Sequence, residues 1–108
     1  MSRQDTDRIA ALNDEARTTL DGCRLIITPG IAALEDVTTI INRVCGYTDF
    51  NASNDPYGEH DFGSFEHIGQ QVFWKIDYFD ADLLMHSPDP ADPAVTFRVL
   101  TIMLAEEY

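Results

Sequence analysis

Basic residues are scarce in this chain. Lysine occurs once, at Lys75, and six arginines bring the bases to seven against nineteen acids, a formal charge of −12. That imbalance disfavours direct binding to DNA or RNA, whose phosphates would be repelled, and binding to an anionic membrane surface for the same reason. Cysteine is nearly as rare. Cys23 and Cys45 show neither a CxxC spacing nor a Cys/His cluster, so they read as two small buried thiols in a reducing compartment, with no metal and no disulfide. No apolar run approaches the roughly 18 residues a membrane helix needs. The opening MSRQDTDRI has no apolar stretch that could act as a secretory signal. The expectation is a soluble cytoplasmic protein. Repeats and low-complexity segments are also missing, and 108 residues make one domain, 1–108, able to bury a single core.

What is present centres on residues 54–80. From Val72 the chain alternates: Val72, Trp74, Ile76 and Tyr78 point one way, Phe73, Lys75, Asp77 and Phe79 the other. Period-two alternation rich in aromatic and β-branched residues predicts a half-buried strand. Asp61–His67 is a shorter strand, and Gly69-Gln70 is the expected two-residue turn, which sets Phe65 opposite Trp74. Glu66 then falls on the face opposite Trp74.

Elsewhere, Asp5–Leu20 carries Ile9, Leu12, Ala16 and Leu20 on one helical stripe, with Asp5 or Thr6 as cap and Asp21-Gly22 as stop. Cys23–Thr28 is short, apolar and β-branched, which favours a strand. Leu34–Cys45 predicts a second helix ending at Gly46. Tyr47–His60 and Ala81–Ala91 are turn-forming loops. A closing helix is expected from Asp92 as N-cap and Pro93 at N1, with Val95, Val99, Ile102 and Leu104 on its apolar face. The fold class is therefore α+β: a three-stranded sheet, mixed or antiparallel, with a β-hairpin. Three helices pack mainly on one face, in the order α-β-α-β-β-α.

NDPYGEHDFG at 54–63 and DPADPAVTFRVLTIMLAEEY at 89–108, with RIAALND at 8–14 and LIITPGIAAL at 25–34, are familiar as a set. The chain resembles a family of short acidic proteins, mostly from alphaproteobacteria and their plasmids, catalogued as a domain of unknown function. The resemblance implies mobile-element biology and brings no activity with it.

No spacing specifies a reaction. GxSxG and glycine-rich phosphate cradles are absent, His67 and His86 are isolated, and Phe73 stands where a nuclease would place a carboxylate two residues before Lys75. Asp55, Glu59, His60 and Asp61 offer ligands for a divalent ion or an acid/base pair. They equally suit a loop whose carboxylates bond its own backbone, with Gly58 at positive φ. A calcium-loop register from Asp49 fails at Asn54, Pro56 and His60, where Gly, a non-proline and a bidentate Glu are expected. No cofactor is called for.

The charge distribution says more. Residues 49–92 hold ten acids against Lys75 alone, a net −9. One sign concentrated beside an aromatic hairpin is what a binder of a basic protein would show, including one that imitates nucleic-acid phosphates. The candidate face comprises Asp55, Tyr57, Glu59, His60, Asp61, Phe62, Glu66, Phe73, Asp77, Phe79, Asp80 and Asp82. The partner is expected to be a basic, nucleic-acid-handling protein, or a second copy covering the phenylalanines. A metal-dependent enzyme using Asp55, Glu59, His60 and Asp61 is the alternative, and a regulatory domain whose charge serves solubility is a third.

Overall fold

A computed structural model describes residues 2–108. Helix α1 (Arg3–Thr19) leads to strand β1 (Cys23–Ile27), the short helix α2 (Pro29–Ala32) and helix α3 (Val37–Cys45). Strands β2 (Phe62–His67), β3 (Gln70–Phe79) and β4 (Phe97–Leu104) follow, and a 3₁₀ turn at Ala105–Glu107 closes the chain. The four strands form one mixed sheet in the order β1-β4-β3-β2. β4 runs parallel to β1 and antiparallel to β3, which is antiparallel to β2.

The expected closing helix is a strand, so the sheet has four strands rather than three and the order α-β-α-β-β-α does not hold. β4 lies in the middle of the sheet, and all but its first and fifth residues are buried. A strand whose side chains are buried among its sheet neighbours on both sides needs no polar alternation, and its continuous apolar run cannot be told from a buried helix by periodicity. Val99, Thr101 and Ile102 are β-branched and favour the extended choice. The cap signal was real but local. The Asp92 carboxylate accepts the Ala94 N–H at 2.9 Å, and the Val95 N–H closes back on the Asp92 carbonyl at 3.2 Å. That makes a turn and goes no further.

Two helix boundaries also move. α1 is capped by Ser2, whose hydroxyl accepts the Asp5 N–H at 3.1 Å, one turn ahead of the expected cap. The segment expected as one helix from Leu34 begins only at Val37, after Asp36 at the N-cap, and Pro29 at N1 starts a separate turn, α2.

The β2–β3 hairpin turns one residue earlier than the sequence suggested. His67 pairs with Gln70, leaving Ile68 and Gly69 in the turn at φ of 47° and 78°. Two positive φ values define a type I′ turn, which matches strand twist and suits Asn-Gly. Phe65 therefore faces Val72, and Gly63 faces Trp74. The slip is two positions in partner number, so every side chain keeps its expected face. Ile68 is 80% exposed and β-branched in the left-handed region. Ile68→Asn should therefore stabilise the fold by about 1 kcal/mol, read as a rise in the urea midpoint at unchanged slope.

All the helices pack on one side of the sheet. Ile9 of α1, Ile31 of α2 and Ile40 and Val44 of α3 meet Val72, Trp74, Ile76, Tyr78, Leu100, Ile102 and Leu104 in one buried cluster. The last turn is tied into this layer by Glu107, which accepts from the Thr28 hydroxyl at 2.7 Å, Leu104 N–H at 2.8 Å and Gly30 N–H at 3.0 Å. Those bonds, the Thr28 one first, hold its carboxyl below the usual range.

Candidate functional site

The residues singled out from the sequence separate onto the two sides of the sheet. On the helical side, the loop 47–61 folds down onto α1. Gly58 takes φ of 71°, and His60 takes 56°, turning its ring inward. The ring stacks on Phe50 at 4.0 Å, and Nδ1 lies 3.0 Å from both carboxylate oxygens of Asp14. Asp55, its side chain only 5% exposed, accepts the His60 N–H at 3.1 Å and approaches Nε2 at 3.6 Å. Glu59 accepts from the Tyr78 hydroxyl at 2.9 Å. Asp61 is half-buried at the root of β2, where burial first and the Glu59 carboxylate second push its carboxyl up.

Beneath this loop sit two buried polar side chains of α1. Arg17 donates to the carbonyls of Val44 and Cys45 at 2.9 and 3.1 Å, meeting the negative end of α3, and to Asp14 at 3.0 Å. Its guanidinium lies 5.1 Å from the Trp74 ring centroid and 5.4 Å from that of Phe50. Asn13, fully buried, donates to the Glu59 carbonyl at 2.9 Å and the Tyr78 hydroxyl at 2.8 Å, and accepts from Arg98 Nε at 2.7 Å. Burial lowers the Arg98 pKa and raises that of Tyr78. A crevice of about 500 Å³ opens beside Asp14, Arg17, Cys45, Tyr47, Phe50 and His60.

The four side chains weighed as a metal or acid/base set thus go to different partners. Asp55 serves His60, Glu59 serves Tyr78, His60 serves Asp14, and Asp61 sits at the strand root. Among the described residues, no group of three or more His, Cys, Asp or Glu side chains is placed to hold a metal ion. Both cysteines are free and half-buried.

Among the described residues, no helix lies on the other side of the sheet. Alternation and register place Arg24 and Ile26 of β1, Phe97, Val99, Thr101 and Met103 of β4, Phe73, Lys75, Asp77 and Phe79 of β3, and Phe62, Ser64 and Glu66 of β2 on it. Phe62 and Phe73 pack edge-to-face at 5.3 Å, and the Tyr108 ring leans on them at 6.1 and 5.7 Å. Lys75 pairs with Asp77 at 3.1 Å. Glu66 is exposed at one edge, while Asp80 and Asp82 lie in the loop beyond β3. Tyr57 is exposed on the loop above α1 and belongs to neither group.

The sheet face and the inward loop therefore gather different members of the expected set. Phe62, Glu66, Phe73, Asp77 and Phe79 share one face, with Asp80 and Asp82 at its end. Asp55, Glu59, His60 and Asp61 do not join them. Asn13, Asp14, Arg17 and Arg98 were missed, although Asn13 and Arg17 fall at the i+4 and i+8 positions of the stripe begun by Ile9. A polar residue recurring in a buried stripe was the available signal.

A family described as "Protein of unknown function (DUF3768)" matches residues 27–107. The chain belongs to the DUF3768 family. The DUF3768 match runs from the last residue of β1 through the closing turn and so includes β2, β3, β4 and the inward loop, but neither α1 nor most of β1. No curated protein and no solved structure matches the chain. Among the described residues, no helix is long and apolar enough to cross a membrane.

Proposed function

We propose that this DUF3768 chain is a non-enzymatic, cytoplasmic protein-binding factor that docks a basic partner on the open face of its sheet. The observation that carries the reading is the sheet face that no helix among the described residues covers, where Phe62, Phe73 and Phe79 are half-buried and Phe97 is exposed. An apolar centre bordered by charge is common interface anatomy, and so much aromatic surface on one face marks an interaction site. The net −9 of residues 49–92 selects the sign of the partner. A nucleic-acid-handling protein fits best, because its own ligand is a row of negative charges that acidic side chains can imitate. A second copy is the poorer occupant, since each brings a charge of −12.

The test neutralises acids that do not hold the fold. Glu66→Gln, Asp77→Asn and Asp82→Asn are combined, folding is checked by circular dichroism, and partners are recovered from source-cell extract across a salt series. Each is then purified and titrated. The expected result is a basic partner whose affinity falls with salt and drops at least tenfold in the triple variant. Unchanged affinity with intact folding would leave the charge as a solubility device.

A further inference from the structure

Beyond β3 the chain makes a second, wider turn, two of whose side chains, Leu84 and Met85, have no role in the fold. β2 reaches only as far as Lys75, and the space it vacates beside Phe79 is taken by His86. Between them, the Asp80 N–H donates to the Met85 carbonyl at 2.8 Å, and the Leu83 N–H donates to the Asp80 carbonyl at 3.0 Å. The Asp80 carboxylate accepts the N–H groups of Leu84 and Met85 at 3.1 and 3.4 Å. The Ser87 N–H returns to the Tyr78 carbonyl at 3.0 Å. Leu83 is held in the left-handed region at φ of 58°, an uncommon conformation for a side chain of its size. The outcome of this wound loop is that Leu84 and Met85 stand 81% and 70% exposed.

Resting on the basic-partner reading above, we infer that this loop is the anchor of the interface: Leu84 and Met85 insert into an apolar pocket with a basic rim on the partner protein. Three features favour that occupant. The loop's backbone is already bonded internally, so insertion orders little chain. Met85 can adapt its shape to a pocket wall. Residues 80–92 carry Asp80, Asp82, Asp89 and Asp92 with no lysine or arginine, which complements a basic rim and repels an anionic lipid surface or a second copy alike. Phe79 and Phe97, paired across β3 and β4, adjoin the loop and make the anchor continuous with the open face.

Random peptides displayed on phage and selected on the immobilised full chain test the chemistry directly. The wild type is expected to enrich peptides that combine Lys or Arg with large apolar residues. Synthetic versions should bind at least tenfold more weakly to Leu84→Ser/Met85→Ser, and Asp82→Lys should weaken them too, with thermal unfolding unchanged in both. Absence of enrichment, enrichment without basic residues, or indifference to the double serine variant overturns the anchor. Binding lost in Phe73→Ser but kept in the double serine variant leaves the open face standing and removes the anchor. The reverse pattern keeps the anchor and removes the face. Sedimentation of the wild type with phosphatidylcholine or phosphatidylglycerol vesicles, or a dimer in analytical ultracentrifugation that the double serine variant abolishes, would reassign the loop and overturn the proposal.

Discussion

Trp74→Ala is expected to cost about 3–5 kcal/mol, the range for deleting a buried large aromatic, and so to remove much of the stability of a domain this size. Trp74 is fully buried and sits where three elements meet. Tyr47 packs edge-to-face on it at 5.4 Å, Phe50 at 6.1 Å, and the Arg17 guanidinium covers it from α1. Across the hairpin its partner is Gly63, where a Cβ would lie 2.7 Å from Trp74 Cε2 and 2.7 Å from Tyr47 Cζ. The indole thus occupies the volume that any larger residue at 63 would need. Gly63→Ala should destabilise by about 1–3 kcal/mol through overpacking. The urea midpoint measures both. Emission of the sole tryptophan checks the premise, since a native spectrum like that of free indole in water would contradict its burial.

Asn13→Leu is the second large effect, expected at about 3 kcal/mol. Leucine keeps the branched shape and its bulkier methyls leave no cavity, so the loss comes from bonds and crowding. Arg98 Nε loses its acceptor while the guanidinium stays buried, held by the Pro90 carbonyl at 2.6 Å and the face of Tyr78 at 5.3 Å. The Tyr78 hydroxyl and the Glu59 carbonyl each lose a donor. A double-mutant cycle separates these contributions. Arg98→Met should cost clearly less in the Asn13→Leu background than in the wild type, because the charge it removes is already unpaired there. Additive costs would mean that the bond contributes nothing of its own.

The hairpin was legible because one face is wet enough to show alternation. Lys75 and Asp77 interrupt the apolar run between Trp74, Ile76 and Tyr78, and the face assignment survived an error of one residue in the turn. β4 was not legible for the converse reason. Val99, Leu100, Ile102, Met103 and Leu104 are all buried, so no period remains to read, while Asp92-Pro93 supplied a helix-start signal that belonged to a turn. The inward loop was half visible. Its turn residues were recognisable, and Gly58 has the positive φ its place suggested, but the direction in which His60 points depends on Asp14, some 46 positions away. Exposure of Leu84 and Met85 was hidden altogether. Hydropathy reports what a side chain prefers, and these two are held against their preference by Asp80.

The central place of β4 has a kinetic consequence. β2 and β3 are joined by a two-residue turn and can pair as soon as both are free. β1 touches the sheet only through β4, so its first pair, Cys23 with Arg98, waits for the closure of about 75 residues of chain. Local contacts form early, and long loops close late. During refolding β1 is therefore a strand without a neighbour, its amides open to solvent until the last strand arrives. Pulsed hydrogen exchange should protect Trp74 and Ile76 before Ile26 and Thr28, whose N–H groups are the ones β1 turns toward β4. Simultaneous protection of all four would mean that β4 docks as fast as the hairpin forms.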